Sequence, residues 1–281
     1  MSMDRSSLRK KLSLQSEFNR YEAKYIIPPS LVPEIRKFIR PFCVDDPHGQ
    51  GNPPEYIVTT LQLDSAALDL HRAKADEALN RFKMRIRTYG IDNRASLFLE
   101  IKRKIKGSIA KSRVMIPRED YHEDIFSGKT CPVFRSRKEA LAFTDFMRLR
   151  DEMDFRPVAF VRYNRESYMG KNYHYARVTF DRKICYRRTR EWEFPASNAR
   201  WRSMDSASAL NRTFSGVILE LKTYRDVPLW MSELTERFNL VRIGFCKYST
   251  AMDLEAAFYG EPYPRPENEE DHILNPARIL L

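Results

Sequence analysis

The sequence predicts an α+β protein whose core is an eight-stranded antiparallel β-barrel with a basic lumen and with helices packed outside. Three observations support this fold class. Several strand-like segments alternate charged with apolar residues, most are joined by hairpin-type turns such as 90–93 and 106–108, and amphipathic helices are available to cover the apolar faces. About eight short strands connected in this way are typical of antiparallel barrels.

The alternation is clearest in segment 81–87, where Arg and Lys alternate with Phe, Met and Ile, and segment 99–104 nearly repeats it. Residues two apart on a strand share a face, so each strand has one apolar face and one face that carries mainly cations. The same spacing occurs in other predicted strands, in the pairs Glu22 with Lys24, Lys111 with Arg113, Arg177 with Asp181, and Glu220 with Lys222.

The charged faces have two interpretations. For a single strand, a solvated outer face is the simpler one. For the whole set, the opposite faces are consistently apolar and need a cover, and arginine, whose planar fork suits phosphate, recurs among the charges. Because unpaired buried cations are too costly for a dry core, the set favours a barrel wide enough to hold water and an anionic ligand.

The first half of the chain predicts mostly strands. Residues 1–16 are expected to form a basic flexible arm that precedes one domain over residues 17–260. Ser30 is a suitable N-cap for a short helix over 30–40. The Pro-, Gly- and Asp-rich stretch 45–54 predicts a loop, and 66–79 predicts a short helix or a loop. Polar–apolar alternation predicts strands at 18–27, 56–63, 80–89, 96–104 and 110–116.

The second half predicts more helix. An apolar stripe at helical spacing, including Phe143 and Phe146, predicts a helix over 136–153. Segment 187–212 predicts only loops and short elements, and 261–281 an acidic, Pro-rich tail. The other predicted helices are 117–126, 229–238 and 249–258, and the other predicted strands are 158–169, 174–184 and 214–223.

The composition favours an anionic partner. The formal net charge of +11 is typical of proteins that bind nucleic acid, polyphosphate, nucleotides or anionic lipid. No apolar run is long enough for a membrane span, and the N-terminus shows no secretory signal. Four scattered cysteines without a CxxC pair indicate reduced thiols, so we expect a cytoplasmic protein. The absence of a GxxxxGK[ST] motif argues against P-loop chemistry.

Six short segments follow one another in an order that identifies a family. They are FNRYEAKY at 18–25, RIRTYG at 85–90, FLEIKRK at 98–104, YNR at 163–165, RVTFD at 177–181 and LELK at 219–222. Each motif alone is weakly specific, but the ordered set, extended over residues 18 to 258, resembles the VTC-type polyphosphate polymerase domain. This family belongs to the triphosphate tunnel metalloenzymes, or CYTH-like superfamily, so the resemblance implies an eight-stranded antiparallel barrel with a basic lumen.

The resemblance also implies roles for individual residues. Glu220 is implied as the carboxylate that binds Mn²⁺ or Mg²⁺, hard cations that prefer oxygen ligands. Lys111 and Arg113 lie where the family places another basic strand, and the sequence does not choose between them. The implied catalytic residues are Arg85, Arg87, Lys102, Arg165 and Glu220. The implied phosphate-binding residues are Lys24, Arg85, Arg87, Lys102, Lys111, Arg113, Tyr163, Arg165, Arg177, Lys222 and Lys247.

The segment FCKY at 245–248 resembles a family segment in which a Ser-Lys pair faces the phosphates. Lys247 matches the Lys, whereas Cys246 replaces the Ser, and Gly244 stands where a further Lys can occur. Arg242 is a nearby cation for that end of the lumen. Since no His neighbours it in sequence, Cys246 is not expected to act as a nucleophile.

The function expected from these residues is a metal-dependent polyphosphate polymerase that uses ATP and a growing polyphosphate chain. A tripolyphosphatase or nucleoside triphosphatase of the same fold is the first alternative, with Glu22 or Glu100 orienting the attacking water. A non-catalytic module for polyphosphate or RNA is the second, although the aromatic residues do not interleave regularly with the cations, which argues against nucleic acid. A membrane-protein partner is an expectation drawn from the family alone.

Overall fold

The predicted strands pair into a single antiparallel sheet. A computed structural model describes residues 20–260, apart from 91–93, 107, 173–174, 196–198 and 225. In this part of the chain lie ten strands, β1 (Arg20–Ile27), β2 (Cys43–Asp45), β3 (Glu55–Asp64), β4 (Arg81–Tyr89), β5 (Leu97–Ile105), β6 (Ser108–Ile116), β7 (Arg156–Gly170), β8 (Arg177–Arg188), β9 (Arg202–Ser203) and β10 (Val217–Tyr224). The eight long strands follow the order β1-β10-β8-β7-β3-β4-β5-β6, while β2 pairs with β7 and β9 with β8.

The sheet curls around its charged face. Its end strands, β1 and β6, are not paired with each other among the described residues. Nevertheless, the Lys102 Nζ of β5 lies 3.7 Å from the Glu22 Oε2 of β1, although these strands belong to opposite ends of the sheet. This contact requires the sheet to curve until its ends approach each other. The result is an antiparallel half-barrel, which confirms the predicted fold class.

The alternation of charged and apolar residues separates the two faces as predicted. On β4, Phe82, Met84 and Ile86 are at most 1% exposed, whereas the cations between them are only half-buried. On β5, Leu99 and Ile101 are buried in the same way. Because each of these side chains points away from the charged face, the outer face of the half-barrel is apolar and must be covered.

Helices provide that cover. Phe146 packs in one buried cluster with Ile86 and Leu99 on the β3–β6 side of the sheet. Ile35 and Trp230 pack in a second cluster on the outer face of β1, β8 and β10. The five helices of the described residues are α1 (Leu31–Ile39), α2 (Asp69–Ala75), α3 (Arg137–Glu152), α4 (Leu229–Arg237) and α5 (Lys247–Tyr259).

Helix α5 closes one end of the half-barrel. Its Tyr248 and Met252 belong to a third buried cluster, together with Val58 of β3 and Ile218 of β10. Strand pairing puts Val58 and Ile218 on the same face of the sheet as the charged residues. The apolar cluster therefore forms one end of the inner face, and the first residues of α5 reach the charged region beside it.

The predicted helix over 117–126 is wrong. The segment forms two single 3₁₀ turns, Arg118–Asp120 and Glu123–Ile125, with Tyr121 extended between them. This break buries the Tyr121 ring against Phe126 and Phe194 and lets its hydroxyl donate to the Trp192 carbonyl at 2.8 Å. A continuous helix would lose this packing, which propensity alone does not reveal.

The other differences are small. The last helix begins two residues before the predicted 249–258, and the ambiguous segment 66–79 contains α2. β2 lies at the edge of a predicted loop and is too short to show alternation. The predicted arm 1–16 and tail 261–281 lie outside the described residues. Among the described helices, none combines the length and apolar character needed to cross a membrane.

A buried carboxylate attaches α1 to the sheet. The Glu166 side chain is fully buried on β7, where Arg36 of α1 donates two hydrogen bonds to it at 2.8 and 3.0 Å. Tyr168 donates a third bond at 2.6 Å, and Arg182 forms a further ion pair with the same carboxylate. Burial raises the pKa of Glu166, but Arg36, Tyr168 and Arg182 together outweigh burial, so the pKa is lowered overall.

We predict that Arg36→Ala lowers the free energy of unfolding by about 3 kcal/mol, because it leaves a buried carboxylate short of its main partner. The matched control is Arg40→Ala, which removes an ion pair with Asp45 whose two side chains are roughly half exposed. The control should change stability by less than about 1 kcal/mol. Urea unfolding of both variants measures the difference, and equal losses would contradict the role given to Glu166.

Candidate functional site

The residues expected to bind phosphate lie together on the inner face of the half-barrel. Strand pairing places Arg85 opposite Glu100, and Glu100 opposite Arg113, so these three share one face. Residues paired on neighbouring strands lie on the same face of the sheet, so the pairings of the other strands identify the rest of this face. The predicted residues on it are Lys24, Arg85, Arg87, Lys102, Lys111, Arg113, Tyr163, Arg165, Arg177, Glu220 and Lys222. Lys247 reaches the same region from the first turn of α5.

One group of charges surrounds Glu100. Arg85 donates to this carboxylate at 2.7 Å, and nitrogens of Arg87 and Arg113 lie 3.5 Å from it. The Arg113 guanidinium also stacks on the Phe98 ring, 3.6 Å from its centroid. Burial raises the pKa of Glu100, but Arg85 and Arg87 lower it more. The carboxylate therefore stays ionised and orients three arginines, whose combined positive charge is larger than its single negative charge.

A second group surrounds Glu220. Its carboxylate is 4% exposed and contacts Lys222 at 2.8 Å, Arg165 at 3.5 Å and Lys24 at 3.6 Å. Although burial raises the pKa of Glu220, Lys222 and Lys24 hold it well below its usual range. Lys24 in turn donates to the Phe245 carbonyl at 3.0 Å and contacts Glu22 at 3.2 Å. Glu22 and Glu220 thus converge on one ammonium group.

Asp181 is a charged residue of the inner face that the predicted site did not include. It accepts two parallel hydrogen bonds from Arg165, both at 2.7 Å, and one from Lys247 at 2.6 Å. The carboxylate is fully buried, yet these two cations outweigh burial and lower its pKa to about 2. The Arg177–Asp181 spacing already placed Asp181 on the charged face, so the signal was present in the sequence.

Tyr163 forms a wall between cations. The Arg165 guanidinium lies 5.1 Å from its ring centroid and the Lys247 ammonium 4.5 Å. Burial raises the pKa of the Tyr163 hydroxyl, but Arg165 and Arg87 lower it more, giving a value below the ordinary one. The ring therefore orients two cations by cation–π contact.

Lys102 lies on the inner face among several other lysines and Glu22. The pKa of Lys102 is lowered to about 8, mainly by burial and also by the surrounding Lys111, Lys24 and Lys222, against the opposing effect of Glu22. Burial and the neighbouring ammonium groups thus both disfavour the charged form of Lys102. Arg177 lies on the same face but donates to the Met169 sulfur at 3.6 Å, apart from both carboxylate groups.

A cavity of about 400 Å³ opens at the Arg81 end of β4. The segment 242–246 forms one wall, held along β1 by a hydrogen bond from the Ile243 N–H to the Lys24 carbonyl at 2.8 Å. Arg242 lies over the Tyr21 ring at 5.0 Å, and Gly244 leaves open space where a side chain would extend. Cations that line this cavity are Lys24, Lys74, Arg81, Lys83, Lys102, Lys104 and Arg242.

Cys246 lines the same cavity and is paired with a cation. Lys83 donates to its sulfur at 2.7 Å. Burial raises the pKa of Cys246, but Lys83 and hydrogen bonds from Ser249 lower it to about 6. The thiol is therefore largely a thiolate at neutral pH, so an anion lines this cavity beside its cations. Lys83 belongs to the alternating segment 81–87 but was not among the predicted site residues.

Few acidic side chains of the inner face are available as metal ligands. No cluster of three or more His, Cys, Asp and Glu side chains suited to a metal occurs in the described part of the chain. Glu22 and Glu220 lie close enough to share the Lys24 ammonium, at 3.2 and 3.6 Å. One or two carboxylates completed by phosphate oxygens is a usual way to hold Mg²⁺ or Mn²⁺. The residues present therefore fit a metal that arrives with a phosphate substrate.

Comparison with known proteins identifies the family. The VTC domain family matches residues 19–255. The chain belongs to this family. The VTC domain therefore covers both carboxylate groups, all the predicted phosphate-binding residues and the segment 242–246.

Solved structures with similar folds include the PH1819 protein of Pyrococcus horikoshii OT3, which is 14% identical, covers 84% of this chain and 99% of its own, and gives a TM-score of 0.40. A Vibrio parahaemolyticus protein provisionally described as an adenylate cyclase is 8% identical, covers 83% of this chain and 98% of its own, and gives a TM-score of 0.41. No curated protein matches the chain.

We predict that iodoacetamide alkylates Cys246 with a midpoint near pH 6, because the thiolate is the reactive form and Lys83 stabilises it. Lys83→Met should move the midpoint upward, towards the value of about 8.5 of an unperturbed cysteine. Mass spectrometry of the alkylated peptides measures both rates. Cys185, whose pKa burial raises to about 11, is the slow internal control. An unchanged midpoint in the Lys83 variant would contradict the pairing.

Proposed function

We propose that this protein is a polyphosphate polymerase that transfers the γ-phosphoryl group of ATP to a growing polyphosphate chain inside the half-barrel. The observation that carries the proposal is the inner face itself. Arginines and lysines from several strands converge there around the partly buried carboxylate of Glu100 and the buried carboxylate of Glu220, and they outnumber these carboxylates. Membership of the VTC domain family supports a polyphosphate-related role.

The inner face suits phosphoryl transfer because that reaction needs mainly positioning and charge neutralisation. The arginines around Glu100 present planar forks that match phosphate oxygens. Arg165 donates two hydrogen bonds to Asp181 and is therefore oriented before any ligand arrives. We assign Arg85, Arg87, Lys102 and Arg165 to the transferring phosphoryl group, and Lys24, Lys111, Arg113, Arg177, Lys222 and Lys247 to the rest of the chain.

The transfer requires no general base. A terminal oxygen of the polyphosphate chain is already anionic and attacks the γ-phosphorus of ATP. A new P–O–P bond forms, and the bond between the γ-phosphorus and its bridging oxygen breaks, so that ADP leaves with the electron pair. This fits the composition of the inner face, since none of the strand positions described there is a histidine.

Glu220, with Glu22 beside it, would hold the divalent metal through its carboxylate oxygens. When bound with the substrate, Mg²⁺ or Mn²⁺ would neutralise charge on the phosphate oxygens. Lys24 contacts both carboxylates and keeps them close together. Its own pKa is raised because Glu220 and Glu22 outweigh the effect of burial, so it remains an ammonium ion.

The carboxylate environment favours polymerisation over hydrolysis. A hydrolase of this fold would use Glu22 or Glu100 to orient water and accept its proton. Three arginines surround Glu100 and lower its pKa, which makes it a weak proton acceptor. Glu22 contacts Lys24 at 3.2 Å and Lys102 at 3.7 Å, so it too is engaged by cations.

We predict that the purified protein, incubated with ATP and Mn²⁺ or Mg²⁺, forms chains that a polyphosphate gel resolves, together with stoichiometric ADP. Orthophosphate without chains would instead establish a hydrolase. Binding of polyphosphate without either product would leave a non-catalytic module. Arg85→Ala combined with Arg165→Ala should abolish chain formation because both removed guanidinium groups lie on the inner face.

We predict that Glu220→Gln raises the metal concentration needed for half-maximal activity by about 100-fold or more, since loss of even an outer partner of a metal ligand costs 10–100-fold. Glu100→Gln is the matched control, because it removes a carboxylate that is equally surrounded by cations but is not assigned to the metal. Metal titrations of polymerase activity measure both. If both variants change the metal requirement to the same extent, Glu220 does not bind the metal and only balances the charge of its neighbouring cations.

A further inference from the structure

A second cationic cavity lies apart from the inner face. Its volume is about 400 Å³, and it is located between β8, β9 and the C-terminal turn of α5. Four arginines and two aromatic rings form most of its lining, namely Arg187, Arg188, Arg200, Arg202, Trp201 and Tyr259. None of these residues belongs to the site assigned to ATP and the growing chain.

The length of α5 separates the two sites. Lys247, the first residue of the helix, contacts Asp181 on the inner face, whereas Tyr259, the last residue, lines the second cavity. At a rise of 1.5 Å per residue these ends are about 18 Å apart. A ligand in the second cavity would therefore be a different stretch of the ligand at the inner face, or a different molecule.

The positive charge of this cavity is not balanced. Its one lining carboxylate, Glu255, accepts hydrogen bonds from Arg202 at 2.7 Å and from Tyr186 at 2.9 Å. Within the described residues, Arg187 and Arg200 have no hydrogen-bond or ion-pair partner for their guanidinium groups. Unpaired arginines that share one concave surface attract an anion with several negative oxygens.

The aromatic rings of this cavity are already in contact with arginine side chains. Arg162 lies over the Trp201 ring at 4.4 Å, and Arg202 lies over the Tyr259 ring at 4.8 Å. These contacts orient guanidinium groups, so the rings are poorly placed to stack on nucleic-acid bases. The buried indole N–H of Trp201 also donates to no acceptor in the described part of the chain. Arginine forks and an unused N–H donor both suit phosphate oxygens better than bases.

We propose that this cavity, which we call the outer arginine site, binds a condensed phosphate chain outside the inner face. The choice of polyphosphate as ligand rests on the proposed function, whereas the anion specificity rests on the arginines alone. A product chain held at both sites would dissociate slowly, because release from one site leaves it tethered at the other. The outer arginine site would thereby favour long products.

The test is equilibrium binding of long-chain polyphosphate, without ATP or metal, to protein in which Arg85→Ala and Arg165→Ala weaken binding at the inner face. Trp201 fluorescence reports occupancy, and Trp201→Phe should remove the signal. Arg187→Ala combined with Arg200→Ala should weaken binding at least about tenfold, the effect of losing one charged hydrogen bond. Arg135→Ala with Arg137→Ala, two exposed residues at the start of α3, is the control with the same change of charge.

Each outcome decides the proposal. A loss of affinity in the Arg187/Arg200 variant with retention in the control pair supports it. Equal losses in both variants would show that only net charge matters, and no loss in either would show that chains do not bind there, so both results overturn it. If a single-stranded RNA competes for the outer arginine site as well as polyphosphate does, the assignment of polyphosphate as its ligand is overturned. Because no turnover is involved, failure of polymerase activity is a separate result and leaves this measurement intact.

Discussion

Burial of cations together with carboxylates is the interaction on which the rest of the structure depends. Arginines and lysines line the inner face, and the effective penalty for burying one unpaired ion is several kcal/mol. Glu100, Glu220 and Asp181 offset that penalty at separate positions, each contacted by two or three cations. Because each carboxylate balances only part of its surroundings, the face remains positive and open to an anion.

This partial balance also prepares the site for its ligand. The paired carboxylates hold Arg85 and Arg165 in place without a ligand, so less side-chain order would have to be created on binding of the phosphate chain that we propose. The pKa of Lys102 is lowered to about 8 mainly by burial, and repulsion from Lys111, Lys24 and Lys222 adds to the shift. A bound polyanion would relieve that repulsion. The repulsion between cations that lowers the stability of the ligand-free protein would therefore favour binding of the polyanion.

The sheet and most of the candidate site were predictable because strand periodicity is a local property. The alternation in 81–87 placed Phe82 outside and Arg85 inside, as the structure shows. The helix predicted over 117–126 failed because burial of Tyr121 in a distant aromatic cluster overrides local propensity. Glu22 and Lys102 are far apart in sequence and lie on strands from opposite ends of the sheet, so only the curl of the sheet brings them together.

By itself, the sequence determined which face of each strand is charged, the excess of cations and membership of the VTC domain family. Only the tertiary structure decided which carboxylate balances which cation, because ion pairs form across strands that are distant in the chain. It placed Asp181 between Arg165 and Lys247, joined Lys83 to Cys246, and separated the outer arginine site from the inner face by the length of α5. The periodicity of a strand specifies the face on which each side chain lies. The distances between side chains of different strands depend on how the sheet curls.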